Sequence, residues 1–96
     1  MKPSLALDQQ RDAARRLPVR YRAANLRVFG SVVHGRDTEG SDLDLLVDPL
    51  PGATLFDLGG LQDELETLLG VKVDLLTPGD LPARLRNSVL AEAQPV

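Results

Sequence analysis

The 96 residues, 43% apolar and 26% charged with a net charge of −3, predict a single globular domain over residues 1–96, since chains this short seldom divide into two cores. The absence of cysteine excludes disulfides, thiolate nucleophiles and cysteine-ligated metals, so a metal here would have oxygen ligands. The sequence has no secretory signal and no apolar run of about 18 residues, which favours a cytoplasmic protein without a membrane segment.

The first predicted element is a helix with Ser4 as its N-cap that ends at Leu17, before Pro18, with Leu5, Ala13 and Leu17 on its apolar side. Up to position 36 the chain has eight basic and two acidic residues, and from position 37 onward it has three basic and twelve acidic ones. The early basic residues include Arg11, Arg15, Arg16, Arg20, Arg22 and Arg27. This segment is either a solvated face or a docking surface for an acidic partner or for phosphates.

A short apolar strand is predicted over Leu26–Phe29, and it leads directly into Gly30 and Ser31 and then a brief helical turn. The next strand is predicted over Asp42–Asp48, and the prolines that follow end it. The alternation gives this strand two faces, the first with Leu43, Leu45 and Val47 and the second with Asp42, Asp44, Leu46 and Asp48.

The second half of the chain contains the clearest helical period, from Asp57 to a C-capping Gly70. A strand over Val71–Leu76 and a turn follow, and then a last helix with Asp80 as N-cap. This helix is expected to direct Leu81, Leu85 and Val89 toward the core. The element order predicts an α/β fold with a small mixed sheet of three to four strands flanked by helices.

Asp42 and Asp44 are two positions apart on a strand, so their carboxylates leave the same face about 7 Å apart at the backbone. Close carboxylates repel unless a cation lies between them, and Mg²⁺ is commonly held by one or two carboxylates plus substrate phosphates. Asp74 could add a third carboxylate, bind a second metal and help deprotonate an attacking hydroxyl. The alternative for each of these three aspartates is a strand-edge charge that prevents aggregation. Asp48, beside Pro49, is interpreted as a strand-end charge.

Gly30 and Ser31 form the second half of the candidate site, with Ser31 eleven and thirteen positions before Asp42 and Asp44. Glycine lets the backbone approach a ligand, and serine offers a hydroxyl and an amide at a turn that favours anions, as β- and γ-phosphates require. A P-loop is excluded because arginine and aspartate replace its Lys and Ser/Thr. An EF-hand is excluded because the glycine of the segment that starts at Asp37 is fourth instead of sixth.

Through Gly30-Ser31, Asp42-x-Asp44 and Val73-Asp74-Leu75, nearly the whole chain resembles the minimal nucleotidyltransferases of the DNA polymerase β-like superfamily, especially the antitoxins paired with HEPN-domain toxins. The resemblance implies that Gly30 and Ser31 bind the nucleotide ATP, and that Asp42, Asp44 and Asp74 are catalytic and bind Mg²⁺, two ions in all. It also implies AMPylation, the transfer of AMP to a tyrosine of a partner HEPN toxin. This RNase would be neutralised within a hetero-oligomeric toxin-antitoxin system.

One position departs from the family's usual Gly-Ser-x-Ala-Arg-Gly, because His34 replaces the arginine. His34 either donates a hydrogen bond to phosphate or to the toxin, or is a solvated loop residue. A second functional hypothesis is therefore a catalytically weak binding module that neutralises the toxin by direct contact. Nucleotidyl transfer to a small molecule such as an aminoglycoside, or to tRNA ends, fits less well with the small size and acidic C-terminal two-thirds, so no direct nucleic-acid binding is expected.

Overall fold

A computed structural model describes all 96 residues as four helices and one four-stranded sheet. The helices are α1 (Pro3–Gln9), α2 (Arg11–Arg16), α3 (Leu55–Leu69) and α4 (Ala83–Glu92), and the strands are β1 (Ala23–Phe29), β2 (Leu43–Pro49), β3 (Val73–Leu76) and β4 (Gln94–Pro95). The strand order is β3-β2-β1-β4, with β2 parallel to β3 and β1 antiparallel to both β2 and β4. The predicted α/β fold with a small mixed sheet is confirmed. None of the helices is both long and apolar enough to cross a membrane.

The two faces of the sheet are covered differently, as the alternation of apolar and acidic residues in β2 predicts. One face carries the main core, in which Leu43, Leu45 and Val47 pack with residues of α1, α2 and α3. The other face carries a small cluster built around Phe29 and Leu46, to which the half-buried Val89 of α4 is added. Since α4 covers only part of the second face, the remainder stays open to solvent.

The N-terminal helix differs from its prediction, because it is interrupted at Gln10 and its N-cap is Lys2 instead of Ser4. The amide of Ser4 donates to Oδ2 of Asp37 at 2.8 Å, so a carboxylate from a distant loop satisfies the helix end. This hydrogen bond is the main reason that the pKa of Asp37 is lowered. The prediction for Leu5 is also wrong, since its exposure is 49% while Leu7 is fully buried.

Helix α3 and the last helix begin at residues other than those predicted. Helix α3 begins after Thr54, whose side chain and that of Asp57 form a reciprocal capping box, and it ends as predicted at Gly70 with φ of 70°. Asp80 is not the N-cap of the last helix, because it forms such a box with Thr77 around the 3-10 turn Pro78–Asp80. Helix α4 therefore starts later, at Ala83, and Leu85 is 46% exposed instead of buried.

Candidate active site

The parallel pairing of β2 with β3 brings two of the predicted site residues side by side. Asp44 is the direct partner of Asp74 in this pair, and on its other side Asp44 is opposite Phe29 of β1. Adjacent strands are about 4.8 Å apart, so the two carboxylates leave neighbouring backbone positions on the same face. Asp42 lies two positions before Asp44, one residue outside the observed strand. We refer to Asp42, Asp44 and Asp74 as the carboxylate cluster.

Gly30 places the predicted phosphate-binding turn directly against this cluster. It follows Phe29, begins the 3-10 turn Gly30–Val32, and has φ of +75°, a left-handed conformation that favours glycine. A Cβ atom at Gly30 would overlap Oδ2 of Asp44, so no other residue fits without moving that carboxylate. The turn's backbone hydrogen bonds are donated by the amides of residues 33 to 36, so the amide of the half-buried Ser31 is not used within the turn.

The electrostatics of Asp44 are unusual for this chain. Most acidic side chains form an ion pair or accept a hydrogen bond within the protein, whereas half-buried Asp44 does neither. Burial raises the pKa of Asp44, and the charges of Asp74 and then Asp42 raise it further. The environment therefore disfavours the ionised form of Asp44. Such a raised pKa is typical of functional carboxylates that bind a cation or take up a proton.

Asp48 is on the same face of β2 but belongs to a different environment. Its carboxylate contacts Nη2 of Arg27 at 2.6 Å and accepts a hydrogen bond from Asn25 at 2.9 Å. Leu46, which is fully buried, separates it from Asp44. Asp48 is thus a neutralised charge at the far end of the strand and not a member of the carboxylate cluster.

The carboxylate cluster does not form a closed metal cage, since no three Asp, Glu or His side chains in the chain converge closely enough to hold an ion. Its donors nevertheless fit Mg²⁺, which prefers hard oxygen ligands and commonly uses one or two carboxylates together with water and substrate phosphates. The raised pKa of Asp44 supports this fit, because a cation beside it would favour the ionised form. Asp42 and Asp44 are the residues that would hold the ion, with Asp74 adjacent.

His34 has a partner that neither sequence interpretation named. Its Nε2 atom is 2.8 Å from Oε2 of Glu92, at the end of α4, and the imidazole is 45% exposed. The contact links the loop after the Gly-Ser turn to the helix that covers part of the second face. Glu92 lies far along the sequence in a helix whose position was not predictable, so no local signal pointed to it.

The arginines of helix α2 are not next to the carboxylate cluster. Helix α2 packs through Ala14 into the main core, on the face of the sheet opposite to Asp44 and Asp74. Its arginines also have local partners, with Arg11 2.6 Å from Asp8 and Arg15 2.8 Å from Asp12. An acceptor molecule that reaches the carboxylates must approach from the other side, so the arginines of α2 do not flank the candidate site.

A glycine turn in contact with paired strand carboxylates is the arrangement expected from the resemblance to nucleotidyltransferases, and comparison with known proteins shows that family. The family model for the nucleotidyltransferase domain matches residues 7–96, so the chain belongs to this family, whose members generally use a nucleoside triphosphate and a divalent metal. Protein adenylyltransferase MntA of Thermococcus cleftensis is 38% identical over 73 residues, which are 76% of this chain and 74% of that protein.

Solved structures agree with the family assignment. One assigned as a minimal nucleotidyltransferase has 46% sequence identity and a TM-score of 0.86, over 97% of this chain and 95% of the other. A toxin-antitoxin crystal structure with AMP-PNP has a TM-score of 0.68 at 18% identity, over 96% of this chain and 70% of the other, which shows a shared fold. The predicted resemblance to minimal nucleotidyltransferases is confirmed.

Proposed function

We propose that this nucleotidyltransferase is a Mg²⁺-dependent protein adenylyltransferase, which transfers AMP from ATP to a tyrosine of a HEPN toxin and so acts as its antitoxin. The observation that carries the proposal is the contact between Gly30 and the Asp44 carboxylate, because it supports a site in which the turn binds phosphate and the carboxylate binds metal. The name of the Thermococcus relative, a protein adenylyltransferase, supports the adenylyl group and the protein acceptor. The shared fold of the toxin-antitoxin structure with AMP-PNP supports the toxin partner.

The residues have separate roles in this proposal. The backbone of Gly30 and the amide and hydroxyl of Ser31 bind the triphosphate, since amides at the start of a helical turn favour anions. Asp42 and Asp44 hold Mg²⁺, and Asp74 completes the site from the neighbouring strand. When bound, the metal neutralises the triphosphate and aligns it for in-line attack.

The proposed reaction forms a bond between the tyrosine oxygen and the α-phosphorus of ATP. The bond between the α-phosphorus and the oxygen that joins it to the β-phosphorus breaks, and pyrophosphate leaves with the electron pair of that bond. We assign Asp74 to accept the hydroxyl proton, a role supported by its exposure beside Asp44 and by its lack of a partner within the chain. Each atom of ATP is then found either in the adenylylated tyrosine or in pyrophosphate.

The open second face supports an acceptor group that belongs to a bound partner protein. Helix α4 covers the Leu46 end of this face through Val89 and the neighbouring Leu81, whereas Asp42 and Asp74 are exposed at the other end. The chain offers no wall on that side to select a small acceptor. Specificity then depends on the surface of a bound partner, and a stable complex between this chain and its acceptor protein follows from the proposal.

A second candidate function is a binding module with a weak active site, which neutralises the toxin by contact alone. The observation that favours it is the contact of His34 with Glu92, because this imidazole is engaged with α4 at the position where the family usually has arginine. The two candidates agree on the partner and differ on whether a covalent change is made.

The test is to incubate the chain and the protein encoded beside it with ATP labelled at the α-phosphate. We expect label on the partner with the wild type and none with the Asp42→Asn, Asp44→Asn double variant. Asp48→Asn is the matched control, since it removes a carboxylate from the same strand face but outside the cluster, and it should retain labelling. Label that persists with the double variant would contradict the catalytic assignment of Asp42 and Asp44. The absence of label with the wild type and with both variants would favour the binding module.

A further inference from the structure

Lys72 is the one cation in ion-pair contact with the carboxylate cluster. Its Nζ atom is 3.9 Å from Oδ2 of Asp42, while Asp44 and Asp74 have no basic partner. Three carboxylates with one adjacent ammonium group leave a net negative site. The sequence interpretation did not single out Lys72, although its position two residues before Asp74 puts it on the same face of the strand.

The backbone of Lys72 is fixed at this place. The amide of Leu43 donates to the carbonyl oxygen of Lys72 at 2.8 Å, which extends the parallel pairing by one step beyond Leu43 and Val73. Asp42 and Lys72 are the residues just before that first pair, so their side chains start from matching positions. The lysine side chain itself is 75% exposed. Its four-carbon stem is flexible, so the ammonium group can move away from Asp42.

We propose that Lys72 is a replaceable counterion that competes with the metal for Asp42. In the metal-free chain its ammonium group offsets part of the repulsion among the three carboxylates, and a bound divalent ion takes over that role and displaces it. An exposed ion pair at this distance is weak, so the competition should change metal affinity by no more than about fivefold. This inference rests on the proposed metal-binding role of Asp42 and Asp44.

Mn²⁺ binding without nucleotide tests the inference by a readout separate from activity. Free Mn²⁺ is followed by electron paramagnetic resonance during titration of the wild type, Lys72→Gln, Lys72→Arg and Arg84→Gln. We expect about three- to fivefold tighter binding for Lys72→Gln and wild-type affinity for Lys72→Arg. Arg84→Gln is the matched control, because it removes an exposed positive charge from α4 that has no ion pair; it should also bind like the wild type.

The outcomes distinguish a failure of the Lys72 inference from a failure of the proposed metal site. If Lys72→Gln binds Mn²⁺ with wild-type affinity or more weakly, while the Asp42→Asn, Asp44→Asn variant loses binding, then Lys72 is not a competing counterion and the metal site stands. Equal tightening by Lys72→Gln and Arg84→Gln would also overturn the inference, since overall charge alone would explain it. If the double variant binds Mn²⁺ as well as the wild type, the assignment of Asp42 and Asp44 as ligands is wrong.

Discussion

Replacing Gly30 by alanine is the change that probes the contact between the turn and the carboxylate cluster. The new Cβ would overlap Oδ2 of Asp44, and the contact involves the end of a side chain that can rotate. We therefore expect the fold to persist while the Asp44 carboxylate is displaced. Activity should fall much more than stability.

The magnitude follows from two separate effects. A left-handed φ of +75° costs a non-glycine residue about 1–2 kcal/mol of folding free energy. Displacing a catalytic group by about 1 Å can lower the rate roughly 100-fold, which corresponds to about 2.7 kcal/mol of transition-state stabilisation. Gly35→Ala separates the effects, because Gly35 has φ of +68° and no atom within 4 Å of its added Cβ.

The assay compares kcat/KM for adenylyl transfer with the free energy of unfolding from urea titration. Both variants should lose about 1–2 kcal/mol of stability, and only Gly30→Ala should lose roughly 100-fold in kcat/KM. Equal activity losses in Gly30→Ala and Gly35→Ala would refute the reasoning, since strain in the turn would then explain both. A wild-type rate in Gly30→Ala would refute it as well.

Three further changes have definite expected outcomes. Asp44→Asn should raise the thermal midpoint of the metal-free protein at pH 7, because the raised folded-state pKa of Asp44 means that its ionised form destabilises the fold. This gain should disappear as the pH falls below the ordinary aspartate pKa near 3.8, where Asp44 is protonated in both states. Calorimetry across pH measures it. The same variant should lose more transfer activity than the roughly 10- to 100-fold typical of changes to residues that only orient a metal ligand, measured with α-labelled ATP. Leu45→Ala, in the fully buried centre of β2, should cost about 2–5 kcal/mol in urea unfolding. His34→Ala should cost less than about 1 kcal/mol in the same experiment, because its contact with Glu92 is partly exposed to solvent.

Local chemistry allowed several parts of the fold to be predicted from the sequence. The strict alternation of Leu43, Asp44 and Leu45 determined which face of β2 is apolar, because side chains of a strand alternate. The left-handed end of α3 at Gly70 was predictable for a similar reason, since glycine adopts this conformation without steric cost. In each case the determining interaction lies within a few residues.

Contacts between distant segments account for three features that the sequence did not predict, and a local turn accounts for a fourth. The N-terminal helix starts where Asp37 accepts the Ser4 amide, and nothing near Ser4 indicates that partner. The same holds for Glu92 beside His34 and for the strand β4, which pairs with β1 only because the chain returns to that edge. Thr77 was placed in a turn, but its reciprocal bond with Asp80, which delays α4, requires the turn geometry.

The candidate site was predicted residue by residue, and the structure adds how close its parts are. Spacing alone related Gly30 to Asp44, whereas the structure shows that the glycine contacts the carboxylate. The lateral pairing of Asp44 with Asp74 depends on the register between β2 and β3, which periodicity within one strand does not define. The assignment of these residues to metal and nucleotide remains a proposal.

The intact mass of the partner protein tests the central claim most directly. The partner is incubated with ATP, Mg²⁺ and either the wild-type chain or its Asp44→Asn variant, and its RNase activity is measured in the same samples. The proposal predicts that the partner gains the mass of one or more adenylyl groups and loses RNase activity only with the wild type. Loss of RNase activity with an unchanged mass, to the same extent with both chains, would contradict catalysis and show neutralisation by contact.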